Sequence, residues 1–569
     1  MPSIRPTRSL LALAFAALTL PATAYAQGLA GPYLAARHAS YTSDYAQAAD
    51  FYVRALARDP GNISLKENAI AALVGLGRID RAVPIARQML SEGALSQTGA
   101  QVLMADRVAR GDYDGLLSDL EAGLSVGPLV DNLVTAWSYV GAGRMTEALL
   151  QFDMISGQSG LSAFGAYHKA LALASVGDFE GANAIFTERS AAELQGTRRA
   201  ILASAQILSQ LEQNEAAADM VVGVYRGRAL DLTAQAAVDT LRAGEVLPFT
   251  AIGSAADGVA EVFSSVASAL SGEAADGFTL SYSRTAEFLR PGDADFILLS
   301  AGLLERLSQY DLATEAYDKV AREDPAFYSA ELGRADAMSR AGNEEGSIEV
   351  LRQLSESHGD IDLVHRSLGD ALRRLERYDE ATKAYDAAIA LHDTPEAQHW
   401  LVYFSRGITH EREGRWDQAE ADFRLSLELS PDQPQVLNYL GYSLVELQRN
   451  LDEALGMIEK AVEGRPDDGY ITDSLGWVLY RLGRYDEAVV HLERAVELTP
   501  VDPIINDHLG DVYWAVGRQR EAQFQWRRAM SFDPEEKDLE RIRRKLEVGL
   551  DKVLEEEGAE PLAVANDDG

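Results

Sequence analysis

The 569-residue chain contains no cysteine. That excludes disulfides, thiolate metal sites and cysteine nucleophiles. It also excludes a lipid anchor built on a cysteine. Histidine is scarce, with nine residues, and none falls in His-Glu-x-x-His or another metal spacing. The nearest pair, His392 and His399 in HDTPEAQH, lies at a proline-containing junction and reads as surface and cap positions. No Gly-x-x-x-x-Gly-Lys phosphate loop is present, and no Gly-x-Ser-x-Gly nucleophile elbow is assigned. Positive charge is in deficit: 52 Lys and Arg against 88 Asp and Glu give a net charge of -36. Such a chain repels nucleic acid and anionic lipid, and its acidity reads as solubility for a large exposed surface. Among 88 acids, carboxylate pairs arise by chance, and DDG at 467–469 reads as a turn and helix N-cap rather than a calcium loop. The chain therefore reads as a non-enzyme with no metal and no cofactor.

Long apolar runs are missing as well. The longest, LLALAFAALTL at residues 10–20, is too short for a bilayer span of about 20 residues. It follows Arg5 and Arg8 and precedes the small-x-small sequence AYA, which makes residues 1–26 a secretory signal cleaved between Ala26 and Gln27. A large exported chain without cysteine suits an oxidising Gram-negative periplasm. The expected product is periplasmic, soluble and not lipidated.

What the sequence has in abundance is a repeat. Residues 475–488 read LGWVLYRLGRYDEA, and LGDVYWAVGRQREA begins 34 residues later at Leu509. Gly369, Gly407, Gly441, Gly476 and Gly510 recur at 34 to 38 residues. Ala381, Ala419, Ala454, Ala488 and Ala522 keep the same phase, each followed four residues later by a large side chain: Tyr385, Phe423, Ile458, Leu492 and Trp526. Pro431, Pro466, Pro500 and Pro534 close the units, since proline does not continue a helix. Each unit is two antiparallel helices, with Gly and Ala allowing close backbone approach and Gly483 and Gly517 turning the chain through a left-handed conformation. The small position extends backwards through Ala48, Ala82, Leu116, Ala148, Ala182 and Ala216, and resumes at Ala313 and Ser347. Thirteen units are in phase.

This pattern resembles the tetratricopeptide repeat. The expected fold is an all-α tetratricopeptide-repeat superhelix, an α-solenoid of about 13–15 helix pairs. Residues 27–235 form a degenerate array, and 236–292 an irregular junction with room for one degenerate repeat. A regular array follows over 293–534, then a single capping helix over 535–557 and a disordered tail over 558–569.

With no chemistry in the motifs, function falls to surface. First helices line the concave groove of such an array. In the last units the groove positions are Asn438, Tyr442, Asp473, Trp477, Tyr480, Asp507, Asp511 and Trp514. Aromatic residues in an open groove dominate binding hot spots; the alternative is that Trp477 and Trp514 pack against neighbouring helices. The three aspartates would repel a terminal carboxylate, so an extended apolar or basic segment suits the groove better.

The segment YITDSLGWVLYRLGRYDEA (470–488), with the order of signal, irregular repeats, interruption and regular array, is similar to an exported bacterial adaptor family. Members of that family partner a carboxyl-terminal processing protease and bring peptidoglycan endopeptidases to it. The resemblance implies a protein-binding scaffold that presents cell-wall hydrolases to a protease. The family's lipidated cysteine is absent from this chain. The second reading is an assembly or secretion scaffold for outer-membrane proteins or polysaccharide.

Overall fold

The structure is a computed structural model that describes residues 30–94, 96–187, 197–225, 230–559 and 562. The proposed signal with its Ala26–Gln27 junction, and nearly all of the tail, lie outside the described residues. Among the described residues there are 31 α-helices, one short 3-10 turn and no strand. The fold is an all-α solenoid of helix pairs. The chain divides into two compact units, Met1–Val350 and Leu351–Gly569.

In unit 1 the pairs are α1 (Ala30–Tyr41) with α2 (Tyr45–Leu56), α3 (Ile63–Gly75) with α4 (Ile79–Ser91), and α5 (Gln97–Ala109) with α6 (Tyr113–Glu121). Next come α7 (Pro128–Gly141) with α8 (Met145–Ser156), α9 (Ser162–Ser175) with α10 (Phe179–Thr187), and α11 (Arg198–Gln210) with α12 (Asn214–Tyr225). A lone α13 (Leu232–Arg242) precedes α14 (Ala255–Leu270) and α15 (Asp276–Leu289). The unit closes with α16 (Ala294–Arg306), α17 (Tyr310–Tyr317), α18 (Phe327–Arg340) and the first half of α19 (Glu344–Ser357). Unit 2 holds α20 (Asp362–Arg374) with α21 (Tyr378–Ala390), α22 (Trp400–Arg412) with α23 (Trp416–Leu429), and α24 (Pro434–Glu446) with α25 (Leu451–Gly464). It ends with α26 (Gly469–Arg481) and α27 (Tyr485–Leu498), α28 (Pro503–Ala515) and α29 (Gln519–Met530), and α30 (Glu536–Val548) and α31 (Leu550–Glu557).

The register has a steric cause. Every second helix of the thirteen in-phase pairs begins three residues before its small residue, and none of those thirteen small residues is more than 1% exposed. One position corrects the sequence reading: Ala216 is exposed, and Ala217, fully buried, takes the small position of α12. The large residue four positions on does not merely fill space towards the next pair. It lies on the glycine of its own pair. A Cβ added at Gly369, Gly407, Gly441, Gly476 or Gly510 would come within 2.4–2.7 Å of Tyr385, Phe423, Ile458, Leu492 or Trp526.

The turns are as regular. In twelve of the thirteen pairs the residue two before the second helix has φ between 55° and 86°. Eight are glycines, but Ser43, Glu212, Ser308 and Glu376 adopt the same left-handed conformation, at a cost of about 1–2 kcal/mol for a residue with a Cβ. The α24–α25 turn is one residue longer and uses Gln448 and Asn450.

The segment expected to join two halves does something else. The stretch 236–292 is not where the chain divides; the division falls inside α19, at Val350 and Leu351. Helices α14 and α15 turn back into unit 1. α14 lies against α5, α7 and α9, and α15 against α3 and α5. These are all first helices, so the pair fills the concave face that stacking leaves open. Val259, Val262 and Phe263 of α14 are fully buried, each removing apolar surface worth about 1.5–3 kcal/mol from water. Gly258 sits directly on the Trp137 ring, where an added Cβ would come within 2.2 Å.

Polar ties are buried with this pair. Gln101 Nε2 donates to Thr285 Oγ1 at 2.8 Å and to the Ser281 carbonyl at 2.9 Å. The Tyr167 hydroxyl donates to Glu261 Oε1 at 2.9 Å, and Arg199 pairs with Glu261 at 2.7 Å. Burial works against the Glu261 carboxylate, but Arg199 outweighs it and holds the pKa below the usual glutamate value. Further on, the α16–α17 turn reaches the α1–α2 turn, where Gln309 Nε2 donates to the Thr42 carbonyl at 3.3 Å.

Two glycine substitutions test this packing. Gly258→Ala should destabilise unit 1 by about 1–3 kcal/mol through overpacking on Trp137. Gly302→Ala, in α16 with nothing within 4 Å of the new Cβ, should stabilise by about 0.5–1 kcal/mol. Urea unfolding followed by circular dichroism reads both; equal effects would refute the inward packing of α14.

Candidate functional site

The concave face of unit 2 is built by the first helices α22, α24, α26 and α28. On these helices the positions six and three before the glycine, and one and four after it, recur at the same place in each repeat. The eight sequence-predicted residues occupy such positions, but the structure divides them. Asn438, Tyr442 and Trp514 are half-buried, while Asp473, Trp477, Tyr480, Asp507 and Asp511 are buried.

Trp477 and Tyr480 are therefore not open groove residues. Their rings stack at 4.8 Å and 18°. His508, from the next first helix, also stacks on Trp477, at 3.9 Å and 13°. Trp477 Nε1 donates to Glu446 Oε1 at 2.8 Å, and His508 Nδ1 lies 3.0 Å from both Asp473 carboxylate oxygens. Burial alone would lower the His508 pKa; the Asp473 carboxylate, joined by Asp507 and Asp511, more than reverses this and raises it above the ordinary histidine value. The imidazolium so favoured lies flat on an indole face, where a cation is attracted.

Asp507 and Asp511 are closed off from solvent by the C-terminal pair. Lys545, fully buried on α30, donates to Asp507 Oδ2 at 2.7 Å and to Asp511 Oδ1 at 2.6 Å. Trp526 Nε1 donates to the same Asp511 oxygen at 2.9 Å. Burial, opposed by Lys545, leaves the Asp507 pKa raised. The single helix expected over 535–557 is two helices, because Gly549 takes φ 86° where the Trp514 ring leaves no room for a Cβ. Trp514 Nε1 donates to Asp551 at 3.0 Å.

What stays open lies one pair earlier. A cleft of about 490 Å³ is lined by Asn438, Tyr442 and Asp473, together with Arg412, Tyr470 and Ile504. Tyr470 is 60% and Ile504 37% exposed. Sequence reasoning passed over both, although a signal existed: each stands six residues before its glycine, 34 apart. The Asn438 side-chain oxygen Oδ1 is buried in the cleft wall and has no hydrogen-bond partner among the described residues. Glu411 and Asp502 add negative charge. Burial, reinforced by Glu446 and Asp473, raises the Tyr442 pKa, so its hydroxyl stays a neutral donor. The cleft offers aromatic faces, an unpaired acceptor and an acidic rim. These suit an extended segment that brings N–H donors, apolar side chains and positive charge.

The other positions singled out in the sequence hold no catalytic arrangement. His392 and His399 stack at 3.9 Å, and among the described residues no three His, Asp or Glu side chains converge to hold a metal ion. One string does carry the letters of a nucleophile elbow, against the sequence expectation: GLSVG at 123–127. Ser125 lies between two helices, α6 and α7, rather than after a strand, and its hydroxyl donates to Asp131 at 2.5 Å. That is a helix-entry turn and not an elbow. No helix among the described residues is long and apolar enough to cross a membrane.

Two stretches of unit 2 match repeat-family models. Residues 366–434 match the family model described as Tetratricopeptide repeat, and residues 476–517 the one described as TPR repeat. Unit 2 carries tetratricopeptide repeats. A TPR repeat-containing protein of Pseudomonas aeruginosa is 29% identical over 185 residues, 32% of this chain and 31% of that protein. The chain thus spans about a third of the length of that curated relative. Among solved structures, the APC/C hetero-tetramer Cut9-Hcn1 is 15% identical, covering 92% of this chain and 97% of its own with a TM-score of 0.39. MamA AMB-1 is 26% identical, covering 30% and 97%, with a TM-score of 0.26.

The buried charges give two predictions. Lys545→Met leaves Asp507 and Asp511 with Arg541 as their remaining cation, at 3.8 and 3.4 Å, and should cost unit 2 about 3–5 kcal/mol in urea unfolding at neutral pH; a loss below about 1 kcal/mol would show that Arg541 alone compensates both carboxylates. Because the folded His508 pKa is raised, its stabilisation is fully present below the unfolded value of 6.5 and is lost as pH rises through the folded value. His508→Gln should flatten that part of the stability profile, and NMR titration of the His508 ring in Asp473→Asn should show its pKa fall.

Proposed function

We propose that the chain is a non-catalytic, exported protein-binding scaffold whose C-terminal cleft holds an extended segment of a partner protein. Tetratricopeptide repeats bind proteins or peptides along such faces. The observation that carries the reading is the cleft itself, where the unpaired Asn438 oxygen, Tyr442 and the exposed Tyr470 and Ile504 face the same space. A buried acceptor without a partner is costly, and a backbone N–H or an ammonium from a bound segment would satisfy it.

The specific role that fits best is that of an adaptor bringing cell-wall hydrolases to a carboxyl-terminal processing protease in the periplasm. Its support is the similarity of YITDSLGWVLYRLGRYDEA to that adaptor family. The stretch runs from the cleft residue Tyr470 to the small-position residue Ala488. An adaptor of this kind needs two binding surfaces, and the N-terminal concave face is not one of them, because α14 and α15 fill it.

The test is a pull-down from periplasmic extract with residues 27–569, beside a Tyr442→Ala, Tyr470→Ala double variant. Trp477 and Trp514 are unsuitable for this purpose, since their loss would disturb packing. Recovery of a processing protease with cell-wall hydrolases, weakened on the order of tenfold or more in the variant at unchanged helicity, supports the reading. Recovery of outer-membrane assembly or export components instead would favour an assembly scaffold. Undiminished capture by the variant would rule out the cleft.

A further inference from the structure

The second helix of the last in-phase pair, α29, differs from its counterparts on its outer side. Arg520, Phe524 and Arg527 follow at four- and three-residue steps, so they form one stripe along the helix. Phe524 is 66% exposed, and both arginines are exposed. The same repeat position holds Val490 one unit earlier, 64% exposed, and Gly456 in the unit before that. An aromatic residue appears there only on α29.

The arginines stand out too. Elsewhere on the second helices of unit 2, Arg424 pairs with Glu420 and Glu453, and Arg494 with Asp467 and Glu497. Arg520 and Arg527 make no ion pair among the described residues. Residues 518–532 contain four arginines and one glutamate, in a chain of net charge -36. Beside the stripe, Tyr513, Arg520, Glu521, Phe524 and Gln525 border a surface depression of about 510 Å³. The Gln525 side-chain oxygen Oε1 is buried and has no hydrogen-bond partner among the described residues.

We propose that this face of α29 is a second interaction surface, which takes an acidic segment of a partner protein anchored by an apolar side chain. Phe524 and the depression receive the apolar anchor, and Arg520 and Arg527 on either side receive carboxylates. The Gln525 oxygen accepts an N–H from the segment. Arginine beside an aromatic ring is the composition that concentrates binding energy at interfaces. Unpaired cations in an acidic surround select a partner of opposite sign and discriminate against basic ones. The surface is separate from the C-terminal cleft and does not depend on what the cleft binds.

The experiment uses residues 27–569 and a fluorescein-labelled nine-residue peptide with a central Leu-Phe pair flanked by glutamates. Two control peptides replace the glutamates by lysine, or Leu-Phe by serine. Anisotropy should show binding of the acidic peptide at least tenfold tighter than either control. Phe524→Ser and the Arg520→Glu, Arg527→Glu pair should each weaken it tenfold or more at unchanged circular dichroism, while Tyr442→Ala leaves it as it was. The proposal is overturned if the lysine peptide binds as tightly, if the variants bind like the parent, or if no binding is seen. It is overturned equally if sedimentation shows self-association that Phe524→Ser abolishes, which would make the stripe a contact between copies.

Discussion

The contact between a glycine in each first helix and the large side chain of its partner helix governs unit 2. At 2.4–2.7 Å from a hypothetical Cβ, there is no room for any other residue at Gly369, Gly407, Gly441, Gly476 or Gly510. That contact sets the separation and rotation of the two helices in a pair. Rotation in turn decides which residues of the first helix face the partner and which face outward. The stacking of His508 on Trp477, across 31 residues of chain, requires two successive pairs to be held at the same rotation. So does the placing of Tyr470 and Ile504 on one cleft wall.

The two units put the same pair geometry to opposite use. In unit 1 the first helices carry residues that α14 and α15 cover, with a buried apolar stripe around Phe263 and polar ties at Gln101 and Glu261. His168 belongs to this interior. Burial lowers its pKa to about 4, and Trp137 Nε1 donates to its Nδ1 at 3.1 Å, so the ring stays neutral inside the core. In unit 2 the buried ring of His508 has a carboxylate at hand and is held towards the charged form. The same residue type thus reports the difference between an apolar interior and a groove lined with acids.

The repeat was legible in the sequence because sterics enforce it residue by residue. The error of one position at Ala216 arose in a run of three alanines, where size alone does not fix the register. The outward positions of the eight groove residues were legible for the same helical reason. Their burial was not, because it is decided by side chains from other pairs: His508 covers Trp477, and Lys545 covers Asp507 and Asp511. Lys545 gave no warning, since a lysine in an amphipathic terminal helix reads as solvated. The inward turn of α14 and α15 was hidden for a further reason. Their composition suits a helix pair, and nothing local says whether such a pair stacks next in line or folds back.

That fold-back changes how the chain can be made. In unit 2 the ties of Trp477, His508, Trp514 and Lys545 to other helix pairs join residues 31–38 apart, so each pair can dock as soon as the next is complete. In unit 1, Gln101 bonds to Thr285, 184 residues on, and Arg284 Nε reaches the Gly75 carbonyl, 209 residues back. Loop closure over such distances is slow relative to local docking. A chain that emerges from its N-terminus presents α3, α5, α7 and α9 long before α14 and α15 exist to cover them. For that interval the first half is a row of helix pairs with an uncovered face, which is completed only once the chain has been made through α15.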